Sequence, residues 1–203
     1  MRILIVGATG TIGRAIVAAL RDRHELVLAS HHTAPEKVDI ADPDSIRALY
    51  RRVGRVDAVV SAAGQAAFKP LEALADADFA FSFANKLMGQ VNLVRLGRDA
   101  VADGGSFTLT SGILALHPIP GSAAVSVVTS GVEAFARAAS LELPRGLRVN
   151  VVSPPWVSET LVGMGRDPGG GLPASEVARS YVESVEGKLA GQVIAPKVRA
   201  AAR

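Results

Sequence analysis

The 203-residue chain predicts a single doubly wound α/β domain, with a parallel sheet of about seven strands covered by helices on both faces. Three observations predict it. Short aliphatic runs alternate with longer amphipathic stretches along the whole length, the pattern that right-handed βαβ crossovers require. The first run, Ile3-Leu4-Ile5-Val6, leads straight into a glycine-rich turn, Gly7-Ala8-Thr9-Gly10-Thr11-Ile12-Gly13-Arg14. Apolar residues make up 49% of the chain but aromatics only 4%, so the core must be aliphatic, as suits parallel strands buried on both sides.

Each element has a local cause. Strands are expected over 2–6, 25–29, 58–61, 106–110, 148–152 and 192–194, with a shorter one near 37–38. Helices are expected over 11–21, 44–52, 75–101, 122–143 and 174–186. Asp42 is positioned to cap the second helix, with Pro43 in its first turn. Asp103-Gly104-Gly105 should stop the long third helix, and Pro144-Arg145-Gly146 the fourth. The Gly/Pro-rich stretch 163–173 reads either as a mobile loop or lid over a site, or as a plain surface connection. One domain over 1–195 followed by a short basic tail, 196–203, accounts for the chain, and there is no internal repeat.

Composition excludes several classes. The net charge of +3 comes from scattered Arg and Lys, with no basic stripe interleaved with aromatics, so no nucleic-acid partner is expected. Cysteine is absent, which removes disulfides, a thiol nucleophile and thiolate metal sites. Adjacent His31 and His32 lack further ligands nearby, so no metal site is expected either. No apolar run reaches membrane-spanning length and no signal pattern precedes the first strand, so the expectation is a cytoplasmic protein without a membrane partner.

The glycine turn carries the first chemistry. Gly7 permits the tight turn, Gly10 removes a side chain where a phosphate approaches, and Gly13 lets helix and strand pack closely. The helix that follows points its amide-rich N-terminus at the anion. Thr9, Thr11, Ile12 and Arg14 belong to the same candidate pyrophosphate site. A three-glycine pattern alone is weak, but a strand before it and an amphipathic helix after it give it the required context.

Six stations, in order, give the chain a resemblance to the short-chain dehydrogenase/reductase family, whose members have a Rossmann fold. The turn Gly7-Ala8-Thr9-Gly10-Thr11-Ile12-Gly13 is related to the family's Gly-x-x-x-Gly-x-Gly without matching it fully. Val38-Asp39-Ile40-Ala41-Asp42 resembles the station whose first acid binds the adenine amino group, which assigns Asp39 and its neighbour Ile40 to the cofactor. Asp57-Ala58-Val59-Val60-Ser61-Ala62-Ala63-Gly64 resembles the Asp-x-x-x-Asn-Asn-Ala-Gly strand end, with Ser61 and Ala62 in place of the asparagines, and assigns Ala62, Ala63 and Gly64. Leu109-Thr110-Ser111-Gly112 resembles the strand end that carries the catalytic serine. Ser153-Pro154-Pro155-Trp156 resembles the segment closing over the nicotinamide, assigning Pro154 and Trp156, and Gly191-Gln192-Val193-Ile194 resembles the last strand.

The second strand ends in Ala29-Ser30-His31-His32-Thr33, without the acid that an NAD-specific fold usually places on the ribose hydroxyls. Ser30 and His31 can instead hydrogen-bond a 2′-phosphate, with Arg14 adding charge, so NADP(H) is favoured over NAD(H). The family resemblance also implies a homodimer or homotetramer built on helices 75–101 and 122–143, and a small-molecule substrate.

The family's proton donor is missing. The resemblance implies a Tyr four residues before a Lys on one helix face, and alignment places Val125 and Thr129 there. No register shift restores the pair, because the only tyrosines are Tyr50 and Tyr181 and no lysine lies between Lys86 and Lys188. Asn85-Lys86-Leu87-Met88-Gly89 resembles the asparagine station, with Lys86 at the asparagine's spacing. Ser111 alone survives, as in a short subgroup of the family that shares this loss. Substitute donors are His117, whose side chain type titrates near neutrality, and Lys86. Two functions follow: an oxidoreductase acting on a small carbonyl or imine through a non-standard donor, or a dinucleotide-binding sensor without catalysis.

Overall fold

The computed structural model describes residues 1–197, so all but the first two positions of the expected tail lie outside the described residues. Seven parallel strands form one sheet in the order β3-β2-β1-β4-β5-β6-β7. They are β1 (Arg2–Val6), β2 (Glu25–Ser30), β3 (Glu36–Lys37), β4 (Val56–Ser61), β5 (Val101–Thr110), β6 (Arg148–Val152) and β7 (Val193–Ile194). The helices are α1 (Thr11–Leu20), α2 (Pro43–Val53), α3 (Asp76–Ser82), α4 (Gly89–Gly97), α5 (Ala123–Ala139), α6 (Ser158–Gly163) and α7 (Ala174–Glu186).

Alternation of side chains along each strand divides the core into two layers. Leu4, Val59, Phe107 and Val149 face α2, α4 and α5, whose Leu49, Leu93 and Val132 pack on them. Ile3, Ile5, Val60 and Val152 face α1 and α7, meeting Ile16, Leu20, Val177 and Tyr181. Fully burying each such side chain contributes roughly 1.5–3 kcal/mol. Strand order reverses between β1 and β4, so a crevice opens at their C-terminal ends, the usual ligand position in such sheets.

Asp42 caps α2 as expected, its carboxylate accepting the Asp44 N–H at 2.9 Å, with Pro43 at the first position. The helix expected over 75–101 is not continuous. A π-helical turn, Phe83–Met88, joins α3 to α4, and α4 ends at Gly97. Asp103-Gly104-Gly105 does not stop a helix but lies inside β5. Gly104 takes φ +73°, and a Cβ at Gly105 would come 2.4 Å from the Asp57 carbonyl, where the β4–β5 register shifts. The glycines therefore serve a strand irregularity. The helix expected over 122–143 is shorter, ending at Ala139. The 163–173 stretch carries a 3-10 turn, Pro168–Gly170, after α6, and the Glu159 carboxylate accepts the first N–H of α7 from Ala174 at 3.0 Å.

Candidate active site

The crevice is a cleft of about 660 Å³ whose walls come from the ends of β1, β2 and β4 and from the π-helical turn. Gly7, Thr9 and Gly10 line it, as do Ser30 and His31 after β2, Asp39 and Ile40, and Ala62, Ala63 and Gly64 after β4. Ten sequence-assigned residues from four separate segments thus meet around one cavity.

The glycine turn is forced by its neighbours. Gly7 adopts φ +84°, and a Cβ there would come 2.7 Å from the Ala62 backbone. A Cβ at Gly13 would sit 2.0 Å from the Gly7 carbonyl, so α1 lies against the turn with no room for a side chain. Gly10 differs: its nearest neighbour would be the same carbonyl at 3.4 Å, so its outer side opens toward the cleft. No side chain caps α1, which leaves the first-turn N–H groups of Thr11, Ile12 and Gly13 available to an anion. An open glycine over uncapped amides fits a dinucleotide pyrophosphate.

At the far end of the cleft, Ser30 is committed to its own turn, its oxygen accepting the N–H groups of Thr33 and Ala34 at 3.0 and 2.8 Å. Thr33 donates to the Thr9 hydroxyl at 3.0 Å, tying this turn to the glycine turn. Arg14 donates to the Thr9 carbonyl at 2.8 Å. His31 is exposed, its Nε2 3.9 Å from the Asp39 carboxylate. Asp39 in turn accepts the Ala41 N–H at 2.9 Å.

The other assigned residues sit away from the cavity lining. Pro154 and Trp156 follow β6; the Pro154 carbonyl accepts the Ile113 N–H at 2.9 Å, and the Arg166 guanidinium lies 5.9 Å from the Trp156 ring centre. His117 is exposed and its side chain makes no hydrogen bond among the described residues. The cleft lining includes neither His117 nor the other two candidate catalytic residues, Lys86 and Ser111.

Lys86 occupies a different position. It stands on the π-helical turn directly behind Gly64, so close that a Cβ on Gly64 would come 2.7 Å from its Cδ. One turn on, Gln90 is fully buried and grips the end of β5 through both the Thr110 N–H and the Thr110 carbonyl, at 2.8 and 2.7 Å. Asn85 accepts the Gln65 N–H at 2.7 Å and pins the loop after Gly64. Lys86 is thereby held between the ends of β4 and β5. Desolvation by burial lowers its amine to a pKa of about 8, and no acidic side chain pairs with it among the described residues.

Val125 and Thr129, to which the resemblance assigns the tyrosine and lysine positions, both lie on α5; Thr129 is buried and donates to the Val125 carbonyl at 2.8 Å. Tyr181 cannot stand in, because it is buried on the α7 side of the sheet, hydrogen-bonded to Thr110 at 2.6 Å, and burial pushes its phenol well up. Tyr50 is buried against α4, donating to the Leu93 carbonyl at 2.6 Å. Ser111 directly follows β5, almost fully buried, and donates its hydroxyl to Glu133 of α5 at 2.8 Å. The sequence reading missed Glu133 and Gln90. Glu133 had left a signal, as a carboxylate on the stripe that buries Val128, Val132 and Ala136.

A family model described as enoyl-(acyl carrier protein) reductase matches residues 7–180. Hydroxynaphthalene reductase arp2 of Aspergillus fumigatus is 32% identical over 117 residues, which are 57% of this chain and 43% of that protein, so the match spans under half of that relative. The protein lin1944 from Listeria innocua is 41% identical with a TM-score of 0.93, covering 97% of this chain and 100% of that one. A small-chain dehydrogenase solved in complex with NADPH shares the fold at 23% identity, with a TM-score of 0.85 over 96% of this chain and 95% of that one.

Proposed function

Because this chain belongs to the short-chain dehydrogenase/reductase family, we propose that it is an NADP(H)-dependent oxidoreductase of a small carbonyl or imine in which Lys86 handles the proton. The cleft would hold the dinucleotide with its pyrophosphate over Gly10 and the first turn of α1, and its adenosine between Ser30, His31 and Asp39. Arg14 and His31, with no acid at the end of β2, support a 2′-phosphate there. A protein of the same fold has been solved with NADPH, which agrees with this choice. Once bound, the dinucleotide supplies the hydride.

The observation that carries the reading is Lys86 itself, its side chain packed against Gly64 after β4 and its amine lowered by desolvation to a pKa of about 8. A general acid works best when its pKa lies near the working pH, and this one is protonated at neutrality yet releases its proton readily. The ammonium gives a proton to the substrate oxygen or nitrogen; in the oxidative direction the neutral amine takes it back. Val125 and Thr129 favour a second reading, a dinucleotide-binding sensor without turnover.

Titration with NADPH and NADH, followed by a carbonyl and imine substrate screen, separates the two. Submicromolar NADPH binding, NADH weaker by about tenfold, and hydride transfer to at least one substrate are expected. Loss of the NADPH preference in R14A and H31A assigns the 2′-phosphate site. Tight binding with no transfer to any substrate establishes the sensor instead.

A further inference from the structure

On the lining of the cleft, His31 does not stand alone. Its Nδ1 lies 2.7 Å from Nε2 of His32, the next residue of the turn after β2, so one of these nitrogens carries the hydrogen between them. The other ring nitrogen of His31, Nε2, faces the Asp39 carboxylate at 3.9 Å. A carboxylate only accepts, which favours a hydrogen on that nitrogen and makes His32 the donor within the pair. At 3.9 Å the Nε2–H is not spent on Asp39, and the His31 side chain is 60% exposed, so the donor is free to meet a ligand.

One more proton enters this pair without breaking it. It enters at Nδ1 of His32, which has no hydrogen-bond partner among the described residues, and the hydrogen between the rings then moves across to His31. The 2.7 Å contact survives with one positive charge shared by both rings. A second extra proton would set two N–H groups against each other, so the pair holds one charge and not two. Imidazole is the side chain that gains such a proton between about pH 5 and 8. The neighbouring charges are engaged elsewhere: Lys37 donates to the His32 carbonyl at 2.6 Å, Arg14 to the Thr9 carbonyl at 2.8 Å, and Glu36 pairs with Arg52 at 3.0 Å.

We propose that His31 and His32 read the 2′-phosphate of the dinucleotide by proton uptake: the pair gains one proton as the phosphate docks on His31 Nε2, so pH sets the preference for NADP(H) over NAD(H). His32 is the positioning residue, orienting His31 and sharing its charge. This deepens the dinucleotide reading and rests on it. A phosphate dianion stabilises the charged form of the pair, and by linkage the charged pair binds the phosphate more tightly. Affinity for NADP(H) therefore rises as pH falls, while NAD(H), with a hydroxyl in place of the phosphate, follows only weakly.

NADP⁺ and NAD⁺ differ only in that phosphate, and calorimetric titration of the full chain with each, from about pH 8.5 down to about pH 6.5, is the test. The window stays above about pH 6, where the phosphate takes up its own last proton. The ratio of the two affinities is expected to rise about tenfold in favour of NADP⁺ as pH falls across it. At the middle of the window NADP⁺ binding should take up a proton, read as a binding heat that changes with the ionisation enthalpy of the buffer, and NAD⁺ binding should not. H31Q keeps a donor at the phosphate but cannot carry the charge, so its ratio should be flat with pH. In H32F the rise should shrink to about threefold or less, because His31 loses the ring that shares its proton. R14A should lower the ratio by one factor at every pH and leave the slope alone. Both histidines are exposed, and thermal unfolding checks that each variant is folded. A ratio independent of pH, or an unchanged slope in H31Q, overturns the proposal and leaves the dinucleotide reading in place. An unchanged slope in H32F overturns the part given to His32. Failure of both dinucleotides to bind at any pH overturns the dinucleotide reading, and this proposal with it.

Discussion

Two neighbouring regions at the C-terminal edge of the sheet are built on different principles. Around β1, β2 and β4 the site is made of backbone: Gly7 and Gly13 permit contacts that no Cβ would survive, and the first-turn amides of α1 are left uncapped. Around the end of β5 it is made of side chains, with Lys86, Ser111 and Glu133 set on a frame of Gln90 and Thr110. A backbone site constrains every residue that touches it, so its pattern persists. A side-chain site can be rewired one residue at a time, and here the lysine stands on the π-helical turn while the helix face of α5 carries Val125 and Thr129. Recognition of the dinucleotide fold and loss of the usual acid are therefore compatible in one chain.

The sharpest way to break that contrast is at the glycines. G13A places a Cβ 2.0 Å from the Gly7 carbonyl, where both partners are backbone and neither can yield. It should cost about 1–3 kcal/mol of stability and abolish dinucleotide binding, read by denaturant unfolding and by calorimetric titration. G10A adds the same methyl group where the nearest atom stands 3.4 Å away. That variant should unfold normally and still lose affinity, because the methyl group occupies the phosphate's approach. Equal stability of the two variants would mean that the turn is not under the steric control described.

The second test falls on the side-chain end. K86M should lower turnover roughly 10²- to 10⁴-fold, the usual contribution of a positioned acid. The same variant should be more stable at pH 7 by about 1 kcal/mol, as happens where function has kept a costly group. The pH dependence follows from the amine being lowered from 10.5 to about 8. Between these values the unfolded chain holds a proton that the folded chain has released, so wild-type stability rises with pH through that interval. The advantage of K86M is thus full below pH 8 and fades toward pH 10. For carbonyl reduction, kcat/KM should be level below about pH 8 and fall above it, and oxidation should show the opposite slope. A stability gain without loss of turnover would leave Lys86 as a merely buried cation.

How much was legible follows the same division. β1, β6 and α7 match their sequence-derived limits, because continuous aliphatic runs and a long amphipathic period leave little choice. The glycine turn was legible for the same reason, being a backbone demand written as residue type. The π-helical turn was not: Phe83–Met88 keeps helical composition, and the altered hydrogen bonding depends on how Asn85 and Ser82 pin the facing loop through Gln65 and Ala67. Asp103-Gly104-Gly105 misled because a glycine pair that ends a helix and one that lets two strands approach at a register shift look alike in one dimension. Ser111 was found by its station, but its hydroxyl's direction was set by Glu133, 22 residues later and on another element.

A variant that touches neither end supplies the control, and the smallest effect. Glu186 is the last residue of α7, where the helix dipole disfavours a negative charge. It is held there by two residues that follow α1: His24 donates through Nε2 at 2.8 Å and Arg23 lies at 2.9 Å. The hydrogen bond from His24, and then the charges of Arg23 and His24, hold the Glu186 carboxyl below its ordinary value of 4.5. A lowered carboxyl stabilises the fold above its unfolded pKa, and that contribution is lost as pH falls through the lower folded value. E186Q should therefore destabilise by less than about 1 kcal/mol at pH 7, since the cluster lies at the surface with Arg23 half exposed, and the difference from wild type should vanish in strong acid. These residues lie where the strands begin, on the opposite edge of the sheet from the crevice, so dinucleotide affinity and turnover should not move. If E186Q did weaken NADPH binding, the α1–α7 face would be coupled to the glycine turn through α1, and the backbone end of the site would no longer be the rigid one.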